Sequence, residues 1–171
     1  DETGTIAGFY GIARDITEQK KAEEVRRASE DRFRHLIETT SDWIWETDST
    51  GNYTYVSPQI RDLLGYEPDE IIGKTPFHLM PPEESEKITS LFTGYITARK
   101  PITRLENINL HKDGRRIVLE TSGVPFFDNR HTFLGYRGID RDITERKHAE
   151  EALRESEYRF RELFNSMSSG V

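Results

Sequence analysis

Residues 141–161 read RDITERKHAEEALRESEYRFR, and residues 14–34 read RDITEQKKAEEVRRASEDRFR. The offset between them is 127 positions, and it also carries Gly8 to Gly135, Gly11 to Gly138, Ile12 to Ile139 and Leu36 to Leu163. In both places a β-rich run with glycines ends at Asp-Ile-Thr and a charged helical run begins. The shared glycines argue against a chance likeness of two charged helices. Nothing between the copies repeats at a shorter period, so the pattern is a tandem array and not a solenoid. The frame assigns residues 1–16 to the last strand of a preceding unit, 17–39 to a connecting helix and 40–144 to one complete unit. Residues 145–165 form a second connecting helix, and 166–171 begin a further unit.

Within this frame the elements can be read outward from the joints. Asp15-Ile-Thr-Glu18 and Asp142-Ile-Thr-Glu145 have the form of a capping box, an N-cap oxygen with Glu three residues on. In the second helix Ala149, Leu153, Ser156, Phe160 and Leu163 recur at spacings of 4, 3, 4 and 3, a short coiled-coil seam. The first keeps Ala22, Ser29, Phe33 and Leu36 but carries Arg26 where the second has a Leu, so its seam is weaker. Trp43–Asp48, a Gly51-Asn52 turn and Tyr53–Ser57 read as a hairpin. Pro58, Gly65, Pro68, Gly73, Pro76 and Pro81 permit only short helices in the next stretch. Ile88, Leu91, Phe92, Tyr95 and Ile96 lie on one face of a helix over 83–99. Strands follow at about 102–111, 115–127 and 132–143, with Asp113-Gly114 and Asp128-Asn129 at their turns. Two strands, short helices, a longer helix and three strands define an α+β domain: five antiparallel strands with helices on one face.

Composition narrows the function. The 171 residues carry 24 Lys+Arg and 31 Asp+Glu, a net charge of −7, which argues against nucleic-acid binding. There are no cysteines, which excludes disulfides, thiolate metal sites, Cys nucleophiles and cysteinyl photoadducts. That composition suits a reducing cytoplasm. No uncharged apolar run approaches the ~18 residues of a membrane span, and no signal peptide opens the sequence. A hydrophobic fraction of 34% beside 32% charged residues points to exposed helix outside the core. No nucleophile–base pattern or phosphate loop occurs, so the stretch reads as non-enzymatic. His35, His78, His111, His131 and His148 lack metal-site spacing and read as surface residues.

The runs TDSTGNYTYVSPQIRDLLGYEPDEIIGK (47–74), HLMPPEE (78–84), HKDGRRIVLE (111–120) and FLGYRGIDRDITERKHAEE (133–151) resemble a PAS sensory domain of multi-domain bacterial and archaeal signalling proteins. The resemblance covers about 40–144 and both flanking helices. It implies a sheet in the order 2-1-5-4-3, a cavity between sheet and helices, and output through the helix after Asp-Ile-Thr. Asp142 and Thr144, with Asp15 and Thr17 upstream, are then the relay residues. Flavin photoreceptors of the family carry a reactive Cys where this sequence has Pro76, within Gly73–Leu79. Haem sensors carry a His eight residues beyond the Met of Leu79-Met80-Pro81, where Ile88 stands here. Haem and a covalent flavin adduct are thus disfavoured, and the ligand stays unknown.

Pleat alternation puts Trp45 and Thr47 on one face of their strand and Ile44 and Glu46 on the other. The resemblance turns Trp45 inward and lines the same side with Asn107, Asn109, Leu119 and Thr121, facing Ile88 and Phe92. Two Asn side chains on such a face mark either a polar ligand or water, or amides bonded to each other, to Thr121 and to backbone. The two tryptophans read as core. The resemblance implies a cytoplasmic sensory or relay module, free or within a membrane-anchored protein. It works next to other PAS units and an output domain, a histidine kinase of a two-component system or a cyclic-dinucleotide enzyme. It senses a small ligand or is a ligand-free dimerisation and relay module, and the narrow apolar faces of the connecting helices point to a parallel homodimer.

Overall fold

The computed structural model describes Gly4 and residues 15–168, and the chain divides after Thr39 into two units. The strand expected over 1–16 falls almost wholly outside the described residues, as do residues 169–171.

In the first unit Thr17–Thr39 is helix α1. Asp15 Oδ1 accepts the Thr17 N–H at 2.9 Å, which supplies a partner to one of the unpaired amides of the first turn. Hydrogen bonds from Thr17 hold the Asp15 carboxyl below its ordinary value. Arg26 meets Glu30 one turn on at 2.6 Å, while Val25, Phe33 and Leu36 are exposed.

The second unit begins with the hairpin β1 (Trp43–Thr47) and β2 (Tyr53–Val56). Its turn is organised by Asp48, whose Oδ1 accepts the N–H groups of Thr50 and Asn52 at 2.8 and 3.0 Å. The prolines and glycines that follow break the chain into α2 (Ile60–Leu64), α3 (Pro68–Ile71) and a 3-10 turn (Pro76–Leu79). Two of these start on a proline, whose missing N–H costs nothing in a first turn. Helix α4 (Pro82–Ala98) buries Ile88 and Phe92 and ends at Arg99, which has left-handed φ. Strands β3 (Ile102–Leu110), β4 (Arg116–Phe127) and β5 (Phe133–Asp142) complete an antiparallel sheet in the order β2-β1-β5-β4-β3. Helix α5 (Thr144–Ser168) follows directly and runs three residues past the expected end at 165, so residues 166–168 continue it.

One face of the sheet carries the core. Trp43, Trp45 and Thr47 are buried on β1 while Ile44 and Glu46 between them are half-buried. Trp43, Ile60, Leu64, Ile71, Leu119 and Tyr136 are almost completely enclosed. Tyr136 Oη lies 2.8 and 2.9 Å from the carbonyls of Tyr95 and Lys100, tying β5 to the end of α4. His111 is half-buried over Gly65, not on the surface as its type suggests, and its Nδ1 accepts the Asp113 N–H.

Both outer strands are covered. The Tyr53 N–H donates to Lys74 O, and the Gly73 N–H to Tyr53 O, along β2. On β3 the Ile108 N–H donates to the buried Glu84 carboxylate at 3.3 Å, and the register shifts around Arg104, another residue with positive φ.

At the joint into α5, Asp142 Oδ1 accepts the Thr144 N–H at 2.8 Å. Thr144 Oγ1 accepts the Val118 N–H at 2.9 Å, and the Ile143 N–H donates to Val118 O. The Asp therefore caps the helix and the Thr pins it to β4. These Asp-to-Thr bonds at both joints are short Asx turns, a different geometry from the reciprocal box that the Glu spacing suggests. Lys147 reaches Glu106 at 2.7 Å and Arg146 reaches Glu120 at 3.3 Å, so the first turn of α5 is also held to β3 and β4 by exposed ion pairs.

Gly138 faces Trp45 across one ladder and Gly123 across the other. A Cβ on Gly138 would come within 2.3 Å of Ser122 O and 2.6 Å of the Trp45 ring. Gly138→Ala should therefore lower stability by at least about 2 kcal/mol. Gly94→Ala, on the exposed side of α4 with open space around it, should raise stability by about 0.5–1 kcal/mol. Urea unfolding of the two variants beside the parent chain measures the contrast.

Candidate ligand cavity

A cavity of about 30 Å³ lies between the inner face of the sheet and the helical side. Trp45, Asn107, Asn109, Thr121 and Asp140 supply its polar wall. Phe77, Met80, Ile88 and Phe92 close it from the other side, with Tyr53, Pro76, Ile102 and Leu105 at the margins. Ile88 and Pro76, at the positions where haem-binding and photoadduct relatives place their reactive residues, contribute only apolar surface. A buried volume of this size holds about one or two water-sized groups.

The polar wall is one connected chain. Asn109 Nδ2 donates to Asn107 Oδ1 at 2.5 Å. Asn107 Nδ2 donates to Thr121 Oγ1 at 2.7 Å and to Leu105 O at 3.1 Å. Thr121 in turn bonds to the Asp140 carboxylate. From the other side Trp45 Nε1 donates to Asp140 Oδ1 at 3.0 Å. The Asn pair thus satisfies itself through neighbouring side chains and backbone, as buried amides must.

Asp140 is the electrostatic centre. It is 4% exposed. Burial pushes its carboxyl up to about 7, the bonds from Trp45 and Thr121 pull it back, and the Asp42 carboxylate adds to the rise. Tyr53 stands well above its ordinary value, through burial and then the Asp140 charge. Asp42 itself is engaged on its far side by Arg141, at 2.8 Å.

Of the residues expected to line the pocket, Trp45, Ile88, Phe92, Asn107, Asn109 and Thr121 do so. Thr47 and Leu119 are buried but do not reach it. Thr47 Oγ1 sits at the end of β1 against the Tyr136 backbone, accepting its N–H at 3.3 Å, and Leu119 is packed in the core cluster. Trp43 is a core residue, whereas Trp45 belongs to both core and cavity wall. Asp140 was not among the expected residues. Its signal was parity: on β5 it shares the inward face with Tyr136 and Gly138, while Arg137, Ile139 and Arg141 point out. Among the described residues no cluster of His, Cys, Asp or Glu is placed to hold a metal ion. The hollow beside α5, lined by that helix's own Glu155, Arg159 and Glu162, has no opposing wall.

The family model described as PAS fold matches residues 37–148, and the chain belongs to this family. It is 30% identical over 150 residues to the protein y4lL of Sinorhizobium fredii, covering 88% of this chain and 18% of that protein. It is 29% identical over 167 residues to sporulation kinase E of Bacillus subtilis, covering 96% of this chain and 22% of the kinase. The chain thus spans about a fifth of the length of these curated relatives. Among solved structures, the PAS domain of a protein from Colwellia psychrerythraea superposes with a TM-score of 0.60 at 29% identity, over 67% of this chain and 97% of that domain.

The raised carboxyl of Asp140 sets a pH dependence. Between about pH 4 and 7 the folded chain holds a proton at Asp140 that the unfolded chain has released, so stability falls as pH rises through this window and levels above it. The shift from 3.8 to about 7 corresponds to a loss on the order of 4 kcal/mol. Asp48, Asp113 and Asp128, held low by hydrogen bonds, act in the opposite sense and only below their ordinary value. Urea unfolding at about pH 5 and pH 8 should show the parent chain weaker at the higher pH, and Asp140→Asn should flatten that difference.

Proposed function

We propose that this chain is a sensing and relay segment of a longer signal-transduction protein, in which the state of the cavity passes along β5 into α5. The observation that carries the reading is continuity. Asp140 lines the cavity, and four residues further along the same chain Thr144 opens α5 and is bonded to β4. A change that shifts Asp140 strains the Asp142–Thr144–Val118 contacts, and helix displacement is an established way of passing such a change on. The likeness to sporulation kinase E supports a kinase as the output, a histidine kinase being what the sequence resemblance implies. Residues 1–16 and those that follow α5 belong, in this reading, to neighbouring units of the array. No described helix is long and apolar enough to cross a membrane, which is compatible with a cytoplasmic segment.

The second element of the proposal is a parallel homodimer through the connecting helices. Leu153, Phe160, Leu163 and Met167 are all exposed on α5 and, with Ser156, keep the 3–4 spacing of a seam. A row of exposed apolar side chains of this kind marks a partner contact. A ligand-free dimerisation and relay module is the second reading, favoured by the small cavity volume.

Two measurements test these points. Thr144→Val removes the acceptor for the Val118 N–H and should cost about 1 kcal/mol. It should also speed hydrogen exchange in the first turn of α5; unchanged exchange there would remove the relay path. Sedimentation of the parent chain at high micromolar concentration should reveal a dimer that Phe160→Glu with Leu163→Glu disperses. A strictly monomeric parent chain with intact helices by circular dichroism would end the dimer proposal.

A further inference from the structure

Asp140 is a buried carboxylate with no cationic partner among the described residues. The groups that face it are Trp45 on β1, Tyr53 on β2, Thr121 on β4 and, just before β1, Asp42. The only charged member of that set is another carboxylate, and the helical wall opposite is Phe77, Met80, Ile88 and Phe92. A carboxylate removed from water in this way is tolerated only when a proton or a positive charge neutralises it. The fold does not demand the acid: at the matching position of the first Asp-Ile-Thr joint the sequence has Ala13.

We propose that the cavity binds one small primary ammonium ion, of the methylammonium class, on the Asp140 carboxylate. The proposal rests on the sensing reading above and names the chemistry of what is sensed. Three features select this class. The charge is that of a single carboxylate, which fixes the ligand as a monocation. The walls carry the aromatic rings of Trp45, Tyr53, Phe77 and Phe92, and aromatic rings attract desolvated cations. The volume of about 30 Å³ admits roughly two non-hydrogen atoms, which excludes choline, guanidines and amino acids. An ammonium group brings three donors to a wall rich in acceptors. Trp45 and Thr121 occupy only part of the acceptor capacity of Asp140, and Asn107 Oδ1 keeps a lone pair beyond the one that takes the Asn109 N–H.

Binding is an exchange. Where Asp140 carries a proton, the incoming ammonium ion pairs with the carboxylate and that proton leaves to solvent. Affinity for the ion therefore rises with pH up to about 7 and is flat above, and one proton is released per ion bound at lower pH.

Calorimetric titration of the whole chain with methylammonium chloride tests this, with sodium chloride and methanol as the cationic and neutral comparisons. At about pH 8.5 saturable one-to-one binding is expected for methylammonium alone. At about pH 6 it should be weakened about tenfold, with close to one proton released, as read from two buffers of different ionisation enthalpy. Asp140→Asn, which keeps the side-chain volume, and Asp140→Ala, which installs the residue of the other joint, should each abolish binding while circular dichroism shows a folded chain. Absence of saturable binding at about pH 8.5, pH-independent affinity, or binding retained by both variants would overturn the proposal. A neutral molecule found in the cavity by native mass spectrometry and retained by Asp140→Asn would overturn the cation class and leave the sensing reading standing. Titration of Asp140 without uptake of any ammonium ion would reduce the site to a proton site and overturn it equally.

Discussion

The indole of Trp45 lies across two glycines, Gly138 and Gly123, and donates its N–H to a carboxylate in the floor of the cavity. Each part of that arrangement constrains the rest. Side chains at either glycine would lift the ring, and a lifted ring could not reach Asp140. Without the indole N–H, Asp140 would keep only the Thr121 bond and would be left under-satisfied at the end of the chain through Thr121, Asn107 and Asn109. The β1–β5 ladder brings Trp45 and Gly138 opposite each other, so the central pairing of the sheet and the polar wall of the cavity are set by the same register. Polar networks of this kind are stabilising only when complete, since one unpaired member buried in a low dielectric costs more than its bond contributes.

The same strand serves two masters. Its inward residues, Tyr136 and Asp140, belong to the interior, while its last residue, Asp142, belongs to the helix that leaves the domain. The grip on that helix is distributed: one hydroxyl on a backbone amide of β4, and ion pairs from Arg146 and Lys147 to Glu120 and Glu106. The ion pairs are exposed, and each contributes at most about 1 kcal/mol. The hydroxyl contact is the more directional. A joint built from several weak contacts can yield in parts, as the proposed relay requires.

Much of this was legible beforehand because the sequence states it twice. The repeated Asp-Ile-Thr joints marked out the unit, and alternation along Trp43–Thr47 separated the two faces of β1, while the resemblance chose the buried one. The turn residues Gly51-Asn52, Asp113-Gly114 and Asp128-Asn129 located the chain reversals, the first of which is organised by Asp48. The strand order came from the resemblance, because nothing local encodes which strands become neighbours when antiparallel partners are distant in sequence. The cavity wall was half legible. Asn107, Asn109 and Thr121 stood out as polar residues on a face expected to be apolar. Asp140 did not, since it sits in Arg137–Asp142 among charges that read as solvated surface, and only counting parity from Tyr136 turns it inward. Thr47 and Leu119 failed in the opposite sense. They share the correct face, but a face is longer than a cavity, and the ends of β1 and β4 are filled by backbone contacts and core packing.

Open sheets end in strands whose outward amides invite another strand, and that invitation is a hazard for any chain made of near-repeats at high local concentration. Here each end carries partners on its outer edge. The segment around Lys74 pairs with β2, and on β3 the buried Glu84 takes the Ile108 amide while the left-handed Arg104 kinks the ladder beside it. At these positions a second chain finds fewer free backbone groups to pair with, strand against strand. Exposed apolar side chains lie instead along α5 at Leu153, Phe160 and Leu163, along α1 at Val25, Phe33 and Leu36, and on the sheet at Val124, Leu134 and Ile139, so contact through these faces would join side chains rather than strand edges.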